Sequence, residues 1–511
     1  MTRNYLDILA ETIRNNWDAP ALTDFYLTED GSAQDTSRGN HYTYGEMYAE
    51  ICRVAELLAS LGLQKGDHVA ICGANSAHWV IAYLAIAKMQ GVSVTVMHTL
   101  MPDEIARLID FSDAKALFTD EDIWTELDPL YRPSLGDLSA VISLADWSIL
   151  RGEKNTNYKL QITNGEIGFS PVEPDSLAMI CFTSGTSGTP KGVIHTYNNL
   201  SANIEGAAKL YPSIKNKRTL VFFPLSHILS LGTILGSLLT KCHIFIMRSI
   251  MTPEALATSV LHVRPYILPV VPKVAQYLLS EEYQNVCNIV KEFLEYLVIA
   301  GAMITKDEAS CIMQQRIPLT AGYGLTEAPI LSSILPCRYR ENSVGKIVSG
   351  MTCRISPEGE ILVKGENVML GYYKDPEATA AKIDSDDWLH TGDKGHLDED
   401  GYLYVEGRLE QDIIVLPNGE NIRPDNIESL INALPEVKES IVLARDGKLM
   451  AIVVPSSLPF REESEVGSLR RIILRNVNPS LPLFSQLYDV EITDTPLQRT
   501  EKQTIKRYLY K

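Results

Sequence analysis

Short apolar, β-rich runs alternate with longer helical stretches from the start of the chain to about residue 340. The pattern predicts helices over Tyr44 to Leu61, Ala77 to Met89 and Pro102 to Phe111. Each is followed by a strand-like run: His68 to Cys72, Val92 to Met97 and Ala116 to Thr119. Strand–helix–strand alternation predicts parallel sheets with helices on their faces, an α/β fold. Near Ser343 the texture changes to short strands and turns, including Gly359 to Val363, Gly371-Tyr372-Tyr373 and Gly401 to Val405. This reads as a β-barrel-like subdomain over about 343–406, closing a large N-terminal domain of residues 1–407. From 408 to 511 a hairpin turning at Pro417-Asn418-Gly419, a helix from Asp425 to Leu434, a strand and a helix from Ser464 to Asn476 predict a small α+β unit.

Composition narrows the class. The 511 residues are 45% hydrophobic and 22% charged, ordinary for a globular protein, which excludes a disordered chain or a collagen-like repeat. The 46 basic and 64 acidic residues leave a net charge of −18, so a duplex-coating protein, which needs a basic face, is not expected. Eight cysteines stand singly, without the C-x-x-C spacing of a zinc or redox site, and read as lone thiols of a reducing compartment. The start Met1-Thr2-Arg3-Asn4-Tyr5-Leu6-Asp7 has no long apolar stretch of a secretory signal. Leu220 to Thr240 carries no formal charge, but Pro224, His227 and its Ser and Gly residues predict a buried strand and helix start instead of a membrane span. A cytoplasmic protein is expected. The oligomeric state stays open.

The strongest local signal is Thr183-Ser184-Gly185-Thr186-Ser187-Gly188-Thr189-Pro190-Lys191-Gly192. Its glycines let the backbone turn tightly and present N–H groups, its hydroxyls add donors, and Lys191 supplies a compact positive charge. That is the chemistry of a phosphate cradle. It is not a Walker A loop, because Pro190 stands where G-x-x-x-x-G-K requires glycine.

This decapeptide resembles the phosphate loop of the adenylate-forming superfamily, which includes acyl-CoA synthetases, peptide-synthetase adenylation domains and luciferases. Four further motifs follow in family order. Pro224-Leu225-Ser226-His227 is similar to the substrate-side histidine motif, and Gly322-Tyr323-Gly324-Leu325-Thr326-Glu327 to the adenine and magnesium motif. Thr391-Gly392-Asp393 is similar to the ribose motif, and Gly407-Arg408-Leu409-Glu410 to the interdomain hinge.

The resemblance implies ATP-dependent activation of a carboxylic acid to acyl-AMP, with Mg²⁺, and transfer of the acyl group to coenzyme A. By it Tyr323 stacks on adenine, Thr326 donates to phosphate, and Glu327, with Thr186, serves the metal. Asp393 accepts from the ribose hydroxyls, supported by Arg408. His227 lines the acyl site as an orienting or gating group, and Gly301 and Ala302 lie in the segment that shapes the acid pocket. The C-terminal unit is implied to be a mobile lid hinged at Glu410, with Gly419 beside the pantetheine path. Taken alone, Glu327 would read as a solvated carboxylate and Asp393 as a turn residue; the constellation is what singles them out.

The run Val415 to Ile422 looks most like the fatty acyl-CoA synthetase branch. Leu225, Ile228, Leu229 and Leu231 offer hydrocarbon surface with no fixed charge, which also predicts an apolar acid. Phe223 is followed by Pro224 and not by the Asp that holds a substrate ammonium in amino-acid-activating relatives. One position departs from the pattern: Thr504 occupies the place of the relatives' lid lysine, with Lys502 and Lys506 two residues to either side. Two other readings therefore stay open. One is transfer to an acyl carrier protein; the other is a degenerate nucleotide-binding homologue with impaired adenylation.

Overall fold

The computed structural model describes the chain outside residues 1–3, 28–33, 36–38, 132–137, 153–166, 184–189, 211–214, 249–251, 281–283, 301–305, 315, 334–339, 410–413, 418–419, 457–462, 499–508 and 511. The fold is α/β, in two compact units: the bulk of the first runs to Gly407, and the bulk of the second from Arg408.

The first unit is built on two sheets. The smaller has 8 described strands in the order Gly371–Tyr372, Lys191–Thr196, Leu177–Thr183, Val92–Thr95, His68–Cys72, Ala114–Thr119, Ala140–Ser143 and Ile149–Arg151. Its central strands are parallel, and Val69, Ala70, Ile71 and Cys72 are all fully buried. That is why their sequence is a continuous apolar run instead of an alternating one. The helix Ala77–Lys88 is apolar on every face and buried from Ala77 to Ala87, as a helix wedged between layers must be. The helix Tyr44–Ser60 starts at a reciprocal cap: Thr43 accepts from the Glu46 amide while the Glu46 side chain accepts from the Thr43 amide.

The larger sheet has 14 described strands. Its parallel core places Pro20–Leu27, His243–Met247, Arg218–Val221, Ile267–Val270, Tyr296–Ile299 and Leu319–Leu325 side by side. The β-rich stretch expected over about 343–406 continues this sheet. The strand Leu319–Leu325 pairs in parallel with Tyr296–Ile299 through its first half and antiparallel with Ala328–Ser333 through its second. Ser343–Ile347, Tyr402–Arg408, Leu389–Leu397, Glu360–Gly365 and Met351–Ile355 then extend the same path. Gly371–Tyr372 leaves it altogether and pairs with Lys191–Thr196 of the smaller sheet. Gly324 makes the hairpin possible: a Cβ there would lie 1.8 Å from the Pro329 carbonyl oxygen.

Leu220 to Thr240 forms the end of a strand, Arg218–Val221, and the helix Ile228–Leu239. Among the described residues no helix is long and apolar enough to cross a membrane. Cys52, Cys72 and Cys181 are buried free thiols, and Cys242 and Cys287 are buried as well.

The second unit holds a three-stranded sheet of Val437–Arg445, Lys448–Pro455 and Asp489–Ile492, with the helices Pro424–Asn432 and Glu463–Val477. Ile427, Ile431, Val442, Val453, Leu469 and Ile473 form its core. The short pair Ile414–Val415 and Asn421–Ile422 is tied to that core by Leu416 and Ile422.

Candidate nucleotide site

The strand Lys191–Thr196 pairs antiparallel with Leu177–Thr183, so Lys191 and Thr183 face each other across the base of the Gly-rich connection. Ser184, Gly185, Thr186, Ser187, Gly188 and Thr189 lie outside the described residues. Along this strand successive side chains alternate between faces, so Lys191, Val193 and His195 share one. Lys191 Nζ lies 4.9 Å from the centre of the Tyr372 ring. Val193 is buried in a cluster with Tyr372, Ala328 and Leu331. His195 Nε2 lies 2.8 Å from the Thr326 carbonyl oxygen.

Thr326 and Glu327 form the turn between Leu319–Leu325 and Ala328–Ser333, and this turn is held at three points. His195 binds the Thr326 carbonyl. The Met369 amide donates to the Glu327 carbonyl at 2.8 Å. The Tyr372 hydroxyl donates to Glu327 Oε1 at 2.7 Å. Met369 and Tyr372 are in place because the intervening chain is laced to the strand beside it: Leu370 N donates to Ile194 O, and Tyr373 N to Gly192 O. Glu327 is half-buried, and its Oε2 makes no hydrogen bond among the described residues.

Tyr323, four residues earlier, donates its hydroxyl to Asp393 Oδ2 at 2.5 Å. Asp393 is 5% exposed, and its amide donates to Thr391 Oγ1 at 3.0 Å. Two motif carboxylates thus each accept a tyrosine hydroxyl, one through residues close in the motifs and one through Tyr372.

The ring of His195 is fully buried, and Nδ1 has no hydrogen-bond partner. Burial lowers its pKa to about 4, against opposing contributions from the Thr326 carbonyl and Glu327. The ring is therefore neutral at pH 7, with Nε2–H as the donor and Nδ1 as the bare nitrogen.

His227 stands at the N-terminus of the helix Ile228–Leu239, making no side-chain cap. The loop before it is stapled by Asn75, whose side chain accepts from Leu225 N and donates to the Phe222 and Phe223 carbonyls. His227 is solvent-exposed, yet surrounding protein lowers its pKa through desolvation.

Of the four side chains expected to offer hydrocarbon to a substrate, Leu225, Ile228 and Leu231 are core residues instead, 1%, 7% and 1% exposed. The helix they start is buried against the helices Tyr5–Asn15 and Tyr197–Leu210, which takes up that face. Leu229 points elsewhere, into a small recess of about 10 Å³ with Phe222, Phe223, Ser230, Thr233 and Pro269. Gly301, Ala302, Glu410, Gly419 and Thr504 lie outside the described residues. Arg408 ends the strand Tyr402–Arg408, and its side chain is likewise outside the description.

Among the described residues no three His, Cys, Asp or Glu side chains are grouped to hold a metal by themselves. Glu327 offers a single hard oxygen, Oε2. That suits Mg²⁺, which keeps waters and takes its remaining ligands from phosphate.

Lys191 against Tyr372 and two carboxylates that each accept a tyrosine hydroxyl are the chemistry of an enzyme that handles a nucleotide. The chain belongs to the AMP-binding enzyme family: the family model matches residues 9–373, and the model of the AMP-binding enzyme C-terminal domain matches residues 411–510. Among curated relatives, 4-coumarate–CoA ligase 3 from Arabidopsis thaliana is 28% identical over 442 residues, 81% of this chain and 76% of that protein. The 2-succinylbenzoate–CoA ligase of Oceanobacillus iheyensis is 27% identical over 482 residues, 89% and 92% of the two chains. In fold, the chain is similar to o-succinylbenzoate CoA synthetase from Bacillus subtilis, with a TM-score of 0.78, 23% identity, and 99% and 98% of the chains covered.

Tyr372 and His195 are the site residues that the sequence motifs leave out. Tyr372 sits in Gly371-Tyr372-Tyr373, read from sequence only as a strand, and His195 four residues past Lys191. The pairing of Val193 with Tyr372, far apart in the chain, is what brings both to Thr326 and Glu327.

Proposed function

We propose that the chain joins an apolar carboxylic acid to coenzyme A in two steps through acyl-AMP. In the first, a carboxylate oxygen attacks the α-phosphorus of ATP, the P–O bond to pyrophosphate breaks, and acyl-AMP forms. In the second, the thiol of coenzyme A attacks the acyl carbon, AMP leaves with the electron pair of the broken bond, and the thiol proton is released. The observation that carries this reading is the Thr326–Glu327 turn, pinned at both carbonyls and at the Glu327 carboxylate.

Adenylation brings two anions together and builds charge at phosphorus, so preorganised donors and a held metal ligand count for most. In this reading Glu327 Oε2 holds Mg²⁺, which when bound supplies positive charge against the triphosphate. Thr326 donates to phosphate and Lys191 faces it from the strand after the Gly-rich hairpin. Tyr323 and Asp393, joined by their hydrogen bond, present a ring face to adenine and a carboxylate oxygen to ribose, and the family resemblance assigns Arg408 to support that contact. His227 orients the acid's carboxylate. The family resemblance supports the hinge at Glu410, the thiol path at Gly419 and the division of the chain into 1–407 and 408–511.

For the acid, the relatives named for 4-coumarate and 2-succinylbenzoate favour an aryl acid. A fatty acid is the second reading, favoured by the likeness of Val415 to Ile422 to the fatty acyl-CoA branch. The test is thioester formation, followed by mass spectrometry, with coenzyme A or a phosphopantetheinylated carrier protein as acceptor. The acids are 4-coumarate, ferulate, 2-succinylbenzoate and saturated fatty acids of increasing length. Aryl acids forming the coenzyme A thioester fastest is the expected result. A rate that rises steadily with fatty chain length would move the assignment to fatty acids, and transfer only to the carrier protein would overturn the acceptor.

A further inference from the structure

His195 is fully enclosed, yet one of its ring nitrogens is left without a partner. A histidine kept only to fill space would be better replaced by an apolar side chain, since Nδ1 loses its hydration on burial and regains nothing. What the ring supplies is the other nitrogen: Nε2–H reaches the Thr326 carbonyl across 131 positions of sequence.

The surroundings give that bond a purpose. The peptide of Thr326 leads directly into Glu327, whose carbonyl is held by Met369 and whose Oε1 is held by Tyr372. Without the His195 bond, the N-terminal side of Glu327 would lose its anchor while the other two remain, and the carboxylate could swing about them. The same strand face carries Lys191 over Tyr372 and Val193 against Ala328. This strand thus meets the turn itself through His195, while Lys191 and Val193 on the same face pack with Tyr372, which holds the Glu327 carboxylate.

We infer that His195 is a positioning residue: its Nε2–H, fixed on the Thr326 carbonyl, aims the Glu327 carboxylate at a nucleotide-bound divalent cation. It touches neither substrate nor metal and acts through the Thr326–Glu327 peptide. This rests on the reading of Glu327 as the metal carboxylate.

Two substitutions separate aiming from packing. His195→Gln keeps an amide donor near the position of Nε2, and His195→Leu keeps the volume without a donor. Should the leucine variant fail to fold, His195→Asn takes its place, because its shorter side chain withdraws the donor from Thr326. ATP binding to the full chain is measured by calorimetry with and without Mg²⁺, alongside thermal unfolding.

The expected result is that Mg²⁺ tightens ATP binding in the native protein, and that this increment shrinks about tenfold with Leu or Asn. It stays near native with Gln, and Mg²⁺-free ATP affinity is the same in all. An unchanged Mg²⁺ increment in a folded Leu or Asn variant would overturn the inference. So would equal losses in Gln and Leu, a parallel loss of Mg²⁺-free affinity, or no Mg²⁺ increment in the native protein. Because no acid or coenzyme A enters the measurement, a failure of the acid-ligase reading would show in the thioester assay and leave this binding result standing.

Discussion

Glu327 is where charge and geometry are most clearly separable at the level of single residues. Its Oε1 accepts from Tyr372, and a glutamine would still accept there through its carbonyl oxygen. Glu327→Gln therefore keeps the shape of the turn while removing the charge that holds a metal. Acid-dependent ATP–pyrophosphate exchange should fall on the order of 10²–10³-fold. Tyr372→Phe keeps the charge and removes its restraint; a bond to a charged group is worth about 1.5–3 kcal/mol, so a loss of about tenfold to a hundredfold is expected. Native exchange in the glutamine variant would remove Glu327 from the metal role. Native exchange in the Phe variant would show that the Tyr372 restraint contributes nothing to the site. The residue-level motifs were readable in the sequence because their members are contiguous: Tyr323, Thr326 and Glu327 lie within one hairpin. Tyr372 and His195 were not, because a lone Tyr in a strand and a lone His after a Lys carry no local signal. Their meaning comes from a strand pairing made between distant segments.

At the level of elements, burial decides what the sequence pattern leaves ambiguous. The helices Tyr44–Ser60, Ala77–Lys88 and Pro102–Phe111 begin where their caps and periodicity place them. Leu225, Ile228 and Leu231 looked like a substrate wall because an apolar helix start has no label saying which neighbour covers it. The helix is covered by protein. The strands after Ser343 read as a β-rich subdomain because antiparallel turns dominate locally; the join was not legible, since it is made by one strand, Leu319–Leu325, that pairs in parallel on one side and antiparallel on the other.

A pH response follows from another inter-strand contact. Thr23 on Pro20–Leu27 hydrogen-bonds His243 Nε2 at 2.8 Å and His41 Nδ1 at 3.1 Å, tying three strands. Burial, and then the neighbouring His41 and Arg218, lower the His243 pKa to about 4. The unfolded chain has the higher pKa, about 6.5, so it binds more protons between these values. Stability from this group is present above pH ~6.5 and is lost as pH falls toward 4, by up to about 1.4 kcal/mol per pH unit. Thermal unfolding of native protein and His243→Gln at pH 7, 6 and 5 should converge as pH falls, the variant declining less steeply. Parallel curves would show that His243 does not titrate between the folded and unfolded states.

For the whole molecule, the account makes one claim on which the rest depends: that this AMP-binding enzyme splits ATP between the α- and β-phosphates to make an acyl adenylate. The smaller sheet supplies Lys191 and His195, the larger sheet and its connecting turn supply Tyr323, Glu327 and Asp393, and Gly371–Tyr372, which follows strands of the larger sheet, pairs with the smaller one. The most direct measurement is a single turnover with ATP, Mg²⁺ and a preferred acid in the absence of coenzyme A, quenched and analysed by mass spectrometry. The account predicts acyl-AMP and pyrophosphate in equal amounts, with the acyl-AMP converted to thioester and AMP once coenzyme A is added. ADP and phosphate in place of AMP and pyrophosphate, or no adenylate with any acid of the panel, would contradict it.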